Sequence, residues 1–218
     1  MRIGLFGGTF NPIHSGHLWA AEKILNGFDL DEIHFIPAAL PPHKPSDNLV
    51  DAADRLEMIR LAIKNRPEFV ASDMELQRPG ASYTIDTARH FKKQFSPATR
   101  LHLIVGLDAF LEIETWKSYE MLFDLVPLIV MARNREDAKK SREQTVACIR
   151  SRISPEYLFS PEESCFFHHN KQPVHFFDVD PLNISSTHIR EQIRSEKSIG
   201  PLMPKEVEDF INKKELYK

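Results

Sequence analysis

The apolar run Ile3-Gly4-Leu5-Phe6 leads directly into Gly7-Gly8-Thr9-Phe10-Asn11-Pro12-Ile13-His14-Ser15-Gly16-His17, and then into Leu18 to Leu25, where apolar residues recur at helical spacing. The first run has strand composition, so the glycine-rich segment stands at a strand-to-helix crossing. In an α/β sheet that crossing is where nucleotides bind. Gly7 and Gly8 remove side chains that would hold a polyphosphate away from backbone N–H groups. The helix start that follows adds unpaired donors and the positive end of a dipole. With a helix beginning near Ser15, His14 and His17 flank its first turn, and each can donate a hydrogen bond to a phosphoryl oxygen.

Other motifs with similar ingredients do not fit. A Walker-A loop needs Gly-Lys-Ser/Thr at its end, and a dinucleotide fingerprint needs a third glycine opening the helix. A zinc pair calls for His-Glu-x-x-His or a Cys/His cluster, and neither follows. Two glycines alone would suit a plain turn with two surface histidines. The further Pro, His, Gly and His within eleven residues favour a functional site.

Strand-like runs recur at Ile33 to Ile36, Leu101 to Val105, Leu128 to Met131 and Val174 to Phe177, and helical patterns fill Ala52 to Lys64, Thr84 to Phe95 and Asp137 to Ser151. This alternation predicts an α/β fold: a Rossmann-like parallel sheet with helices on both faces. The chain of 218 residues is read as one domain. Residues 38 to 50 carry three prolines and read as a loop. Ser154 to Pro173 reads as irregular surface before the last strand. Met203 to Ile211 reads as a short helix with proline at its start and Val207, Phe210 and Ile211 on one face.

Composition narrows the function classes. Hydrophobic residues at 42% and charged residues at 27% suit a globular protein, and no apolar run approaches bilayer length. Cys148 and Cys165 are too few for a disulfide framework, and no export signal opens the chain, so reduced thiols and a cytoplasmic location are expected. A formal net charge of −3 gives no support to nucleic-acid binding. Anionic substrates must then be held by local donors, chiefly Lys44, Arg190 and Arg133. His102, His168, His169 and His175 form no ligand spacing with either cysteine, and no protein metal site is expected.

Gly-Gly-Thr-Phe-Asn-Pro-x-His-x-Gly-His resembles the signature of the His-x-Gly-His nucleotidyltransferases, and most closely the bacterial nicotinate-mononucleotide adenylyltransferases. Ile184-Ser185-Ser186-Thr187-His188-Ile189-Arg190 matches a second element of that family. Pro41-Pro42-His43-Lys44, Ser82-Tyr83-Thr84 and Gly106-Leu107-Asp108 with Trp116 resemble its intermediate blocks, in order. The likeness spans nearly the whole chain. It implies transfer of AMP from ATP to nicotinate mononucleotide, with direct in-line attack, and magnesium bound mainly through substrate phosphates. It implies ATP contacts from Gly7, Gly8, Thr9, Phe10, His14, His17, Gly106, Asp108, Ile184, Ser185, Ser186, Thr187 and Arg190, of which His14, His17 and Arg190 act in catalysis. His43, Lys44, Ser82, Tyr83, Thr84, Trp116 and Arg133 are then the acceptor-side candidates.

Elementary chemistry supports parts of this and leaves others open. Ser-Ser-Thr before a helix suits an N-cap, and Arg190 one turn in can reach phosphate oxygens as a fork of donors. The start of a helix at Ser82-Tyr83-Thr84 favours a carboxylate, and Trp116 offers a face for a pyridine ring. Tyr83 and Trp116 could equally be core aromatics, His43-Lys44 a plain surface loop, Asp108 an N-cap, and Arg133 only the end of a strand. Nicotinamide mononucleotide or phosphopantetheine as acceptor, a non-catalytic nucleotide-binding regulator and a fragment of a class I aminoacyl-tRNA synthetase are the alternatives. A homo-oligomer remains open.

Overall fold

The computed structural model describes residues 1–41, 49–132, 138–179 and 182–218. Strands β1 (Arg2–Gly8), β2 (Glu32–Pro37), β3 (Phe69–Ala71), β4 (Arg100–Gly106), β5 (Leu128–Ala132), β6 (Leu158–Ser160), β7 (Cys165–Phe167) and β8 (Val174–Asp178) form one sheet. Helices α1 (Ser15–Gly27), α2 (Ala52–Ala62), α3 (Thr84–Gln94), α4 (Leu107–Leu111), α5 (Tyr119–Leu125), α6 (Ala138–Cys148), α7 (Ser186–Arg194) and α8 (Lys205–Lys214) cover it. The strand order is β3-β2-β1-β4-β5-β8-β7-β6. The six strands from β3 to β8 pair in parallel, whereas β7 runs antiparallel to both β8 and β6.

Alternation along the strands sorts side chains between two cores. Ile3 and Leu5 of β1, Leu101, Leu103 and Val105 of β4, and Leu128 and Val130 of β5 face the core under α3, α4, α5 and α6. Phe6, Ile104, Ile129 and Met131 point the other way, toward α1, α2, α7 and α8. Strands buried on both faces read as continuous apolar runs, which is why five of the six parallel strands were visible in the sequence.

The antiparallel edge corrects the reading of 154–173 as irregular surface. Its prolines are not breaks inside strands: Pro161 opens the turn between β6 and β7, and Pro173 stands just before β8. Cys165 and Phe166 are buried there, while Leu158 and Phe167 face each other across the hairpin with 70% and 41% of their surface exposed. The short elements β3, α4 and α5 also went unread, because three to seven residues show too little periodicity.

Candidate active site

The strand order reverses between β1 and β4, so the crossovers leave in opposite directions and a crevice opens beyond the carboxyl ends of these strands. A cavity of about 810 Å³ lies there. Gly7, Gly8, Thr9 and Phe10 follow along β1 and its exit, Gly106 and Asp108 stand at the end of β4, and His14, His17, Ser185, Ser186, Thr187 and Arg190 close it from the helix side. A Cβ at Gly7 or Gly106 would meet nothing within 4 Å. Neither glycine is required by the packing of the chain itself, and both leave backbone open to the cavity.

His14 is the N-cap residue of α1 and His17 lies in its first turn. Their rings stack, with centroids 3.7 Å apart and planes 28° apart. Gly16 makes this arrangement possible, since a Cβ there would sit 3.0 Å from His14 Nδ1. The His14 backbone N–H donates to His17 Nδ1 at 3.3 Å, so in the neutral ring the proton of His17 is carried on Nε2. Phe10, 3% exposed and at a φ of 47°, sets its ring edge-on to His17 at 5.1 Å and packs on Phe6 and Phe35. Its visible task is to hold that imidazole from beneath.

The second helix start arrives beside the first. Ser185 caps α7, its Oγ accepting from the His188 N–H at 3.1 Å. Ser186 Oγ donates to the Pro12 carbonyl at 2.9 Å, which commits its proton to the chain and leaves the hydroxyl only acceptor capacity. Arg190 donates from NH1 to the Asn11 carbonyl at 2.9 Å and from NH2 to Thr187 Oγ1 at 3.2 Å. Its fork is thus held before any ligand enters. Ile184 does not line the cavity; it packs against the core, within 3.7 Å of where a Cβ on Gly16 would stand.

The acceptor-side candidates divide. Ser82 Oγ accepts from the N–H of Ala39 at 2.8 Å and of Leu40 at 3.4 Å, and the Ser82 N–H donates to the Leu40 carbonyl. This staples the exit of β2 to the start of α3. Tyr83 is the N-cap residue of α3 and Thr84 its first residue, while Tyr83 and Trp116 lie half-buried against the same core. Lys117 Nζ sits 4.4 Å from the Tyr83 ring and 3.0 Å from Asp86. None of these four candidates lines the 810 Å³ cavity. His43, Lys44 and Arg133 lie outside the described residues. Asp108 is not an N-cap, because Gly106 takes that position and Asp108 falls within the first turn of α4.

Several residues that shape the site were not singled out in the sequence. Arg55 is fully buried in α2 and donates to the carbonyls of Val50 (2.8 Å), Thr9 (2.8 Å) and Ala38 (2.7 Å), while burial pushes its pKa down. One guanidinium therefore fixes both the cradle and the loop after β2. Lys140, Ser141 and Gln144 of α6 reach the cavity from the other side of β5. Asn11 also lines it, and its Oδ1 accepts from the Val50 N–H at 3.2 Å and from the Tyr217 hydroxyl at 2.9 Å. A helical pattern marks such positions as polar without saying what they reach.

Glu156, His168 and His169 gather near the β6–β7 hairpin with donor atoms within 4.8 Å of one another. The two rings are stacked at 4.7 Å with planes 12° apart, so their in-plane lone pairs do not converge. His168 Nδ1 also accepts from the Asn170 N–H, which puts the ring proton on Nε2, the atom facing Glu156. Burial pushes the Cys165 thiol up to about 12 and raises that of Cys148, so neither is a ready nucleophile.

Residues 5–192 match the family model for cytidylyltransferase-like proteins. A curated relative from Desulfatibacillum aliphaticivorans is 41% identical over 219 residues, covering all of both chains. Another from Citrifermentans bemidjiense is 41% identical over 217 residues, covering all of this chain and 98% of its own; both are named probable nicotinate-nucleotide adenylyltransferase. The chain belongs to the nicotinate-nucleotide adenylyltransferase family. Its enzyme class is therefore nucleotidyltransferase, with nucleotides as substrates and a place in NAD biosynthesis. The fold of this family member is also that of the Plasmodium falciparum nicotinic acid mononucleotide adenylyltransferase complexed with NaAD. That structure superposes with a TM-score of 0.72 at 19% identity, over 99% of this chain and 97% of the other. Among the described residues, no helix is long and apolar enough to cross a membrane.

Proposed function

We propose that this enzyme transfers the adenylyl group of ATP to the 5′-phosphate of nicotinate mononucleotide, forming nicotinate adenine dinucleotide and pyrophosphate. The observation that carries the reading is the convergence of two helix starts, α1 and α7, with stacked imidazoles and a fixed guanidinium on one cavity at the strand-order reversal. A phosphate nucleophile is already ionised at neutral pH and needs no general base. Catalysis then rests on placement and on donors that meet charge as it develops.

The proton on His17 Nε2 supplies a donor for the oxygens around the α-phosphorus, and His14, stacked beneath it, shares the first turn of α1. The backbone at Gly7 and Gly8 and the Thr9 hydroxyl receive the triphosphate. Arg190, held by Asn11, steadies the phosphates that leave. Asp108, at the end of β4, accepts from a ribose hydroxyl. It is the one carboxylate among the described cavity residues. With that single carboxylate among them, this donor set fits a magnesium ion held chiefly by substrate phosphates and water, where the ion neutralises negative charge on the polyphosphate.

The acceptor ring is assigned to the start of α3 and the loop carrying Trp116. The first N–H groups of α3 have no helical partner and favour a carboxylate over an amide. Trp116 provides a stacking face beside them. Reduced, buried cysteines agree with a cytoplasmic enzyme. The test is pyrophosphate release with ATP and magnesium, run in parallel on nicotinate mononucleotide, nicotinamide mononucleotide and phosphopantetheine. Strong preference for the first is expected. Preference for another acceptor would overturn the α3 pocket, and no release with any of them would leave a nucleotide-binding regulator.

A further inference from the structure

The chain ends by returning to the cradle. After α8, Glu215 and Tyr217 take positive φ values of 54° and 68°, and the Leu216 N–H donates back to the Ile211 carbonyl. These turns send the Tyr217 ring into the core, where it is 8% exposed. Its hydroxyl donates to Asn11 Oδ1 at 2.9 Å, across 206 positions of sequence. Asn11 is the residue whose carbonyl receives Arg190 NH1, and whose Oδ1 also receives the Val50 N–H. Burial holds the phenol protonated by raising its pKa, so Tyr217 stays a donor throughout the working range.

We infer that Tyr217 is a positioning residue for adenylyl transfer: its hydroxyl orients Asn11, and Asn11 sets the Arg190 guanidinium toward the departing phosphates. Tyr217 does not line the cavity. It acts through Asn11, holding the side-chain Oδ1 of the residue whose backbone carbonyl holds Arg190, so its effect through Arg190 exists only while Arg190 is present. This inference rests on Arg190 serving the phosphates, as proposed above.

The test compares Tyr217→Phe with the full-length wild type in pyrophosphate release, recording kcat, the KM for each substrate and the thermal midpoint. Removing the hydroxyl while keeping the ring is expected to lower kcat about tenfold, with each KM within about twofold and the midpoint within a few degrees. In an Arg190→Ala background the same change should cost nothing more, because the residue it positions is gone. Phe166→Leu supplies a control, since it opens a cavity under β7 in the opposite core, away from the terminal segment and the crevice. It should lower the midpoint and leave kcat unchanged.

Three results would overturn the inference: a kcat for Tyr217→Phe within twofold of wild type, an equal loss in the Arg190→Ala background, or a matching loss of kcat in Phe166→Leu. If Tyr217→Phe does not fold, the hydroxyl serves the fold itself and the inference fails. An inactive wild type would remove the proposed function itself, whereas an active wild type indifferent to Tyr217→Phe removes only this inference.

Discussion

The cradle side of the crevice and the acceptor side are built differently. Around Thr9, Asn11, Pro12 and His14, five side chains from α1, α2, α7 and the terminal segment meet through hydrogen bonds of 2.8 to 3.3 Å. Around Tyr83 and Trp116 the chain relies on half-buried packing, the Ser82 staple and the partly exposed Lys117–Asp86 pair. The difference suits two tasks. Donors that meet developing charge act fully only if they need not reorganise, whereas a flat ring can be gripped by a surface that adjusts.

The largest effect should fall on the cradle. His17→Ala should lower kcat about 10²- to 10³-fold, the scale of losing one preorganised donor. It also removes the acceptor for the His14 N–H, so stability should drop by about 1 kcal/mol. Steady-state kinetics with a thermal scan reads both, and unchanged turnover would put the chemistry elsewhere.

Arg55 joins the two sides, and Arg55→Met should fail on both. Four backbone carbonyls, of Val50, Thr9, Ala38 and Ala39, lose a donor, for a loss of roughly 3 kcal/mol in urea unfolding. Stability within 1 kcal/mol of wild type would mean that the cradle and the β2 exit do not depend on this shared clamp.

Trp116→Ala sharpens the contrast from the other side. The KM for the acceptor should rise about tenfold with the KM for ATP little changed, while the thermal midpoint falls because the half-buried ring leaves the core. An equal rise in both KM values would show that the halves are not separable.

The far end of the sheet supplies a control. On β4, burial, His175, Arg2 and Arg100 push the His102 pKa down to about 4 from the usual 6.5. Because its folded pKa is depressed, the folded state binds fewer protons than the unfolded chain between these values. Stability should therefore fall as pH drops from about 6.5 toward 4 and level off below, by about 2 kcal/mol once partial exposure is allowed for. His102→Asn should flatten that profile without altering kcat at pH 7. An unchanged profile would place acid sensitivity elsewhere.

The cradle was legible because glycine, proline and histidine at fixed spacing carry local physics: an open backbone, a set φ, a ring at a helix start. The parallel core was legible because strands buried on both faces are apolar throughout. The β6–β7 hairpin was not, because Pro155 and Pro161 read as breakers and only the partner strand shows that they bracket β6. Arg55 and Tyr217 were invisible for a different reason. A polar residue in a helical or terminal segment reads as solvent-facing, and the carbonyls it satisfies lie 5 to 206 positions away. Lys140, Ser141 and Gln144 likewise join the cavity only because β5 brings α6 back beside β4.

At the centre stands the claim that the imidazoles donate hydrogen bonds to the phosphates and do not attack them. The stereochemical course at the α-phosphorus, followed with ATP made chiral there by sulfur substitution, tests this directly. A single in-line displacement by the acceptor phosphate gives inversion, which is the expected result. Net retention would mean two displacements through an adenylyl-enzyme, and would contradict the role assigned to His14 and His17.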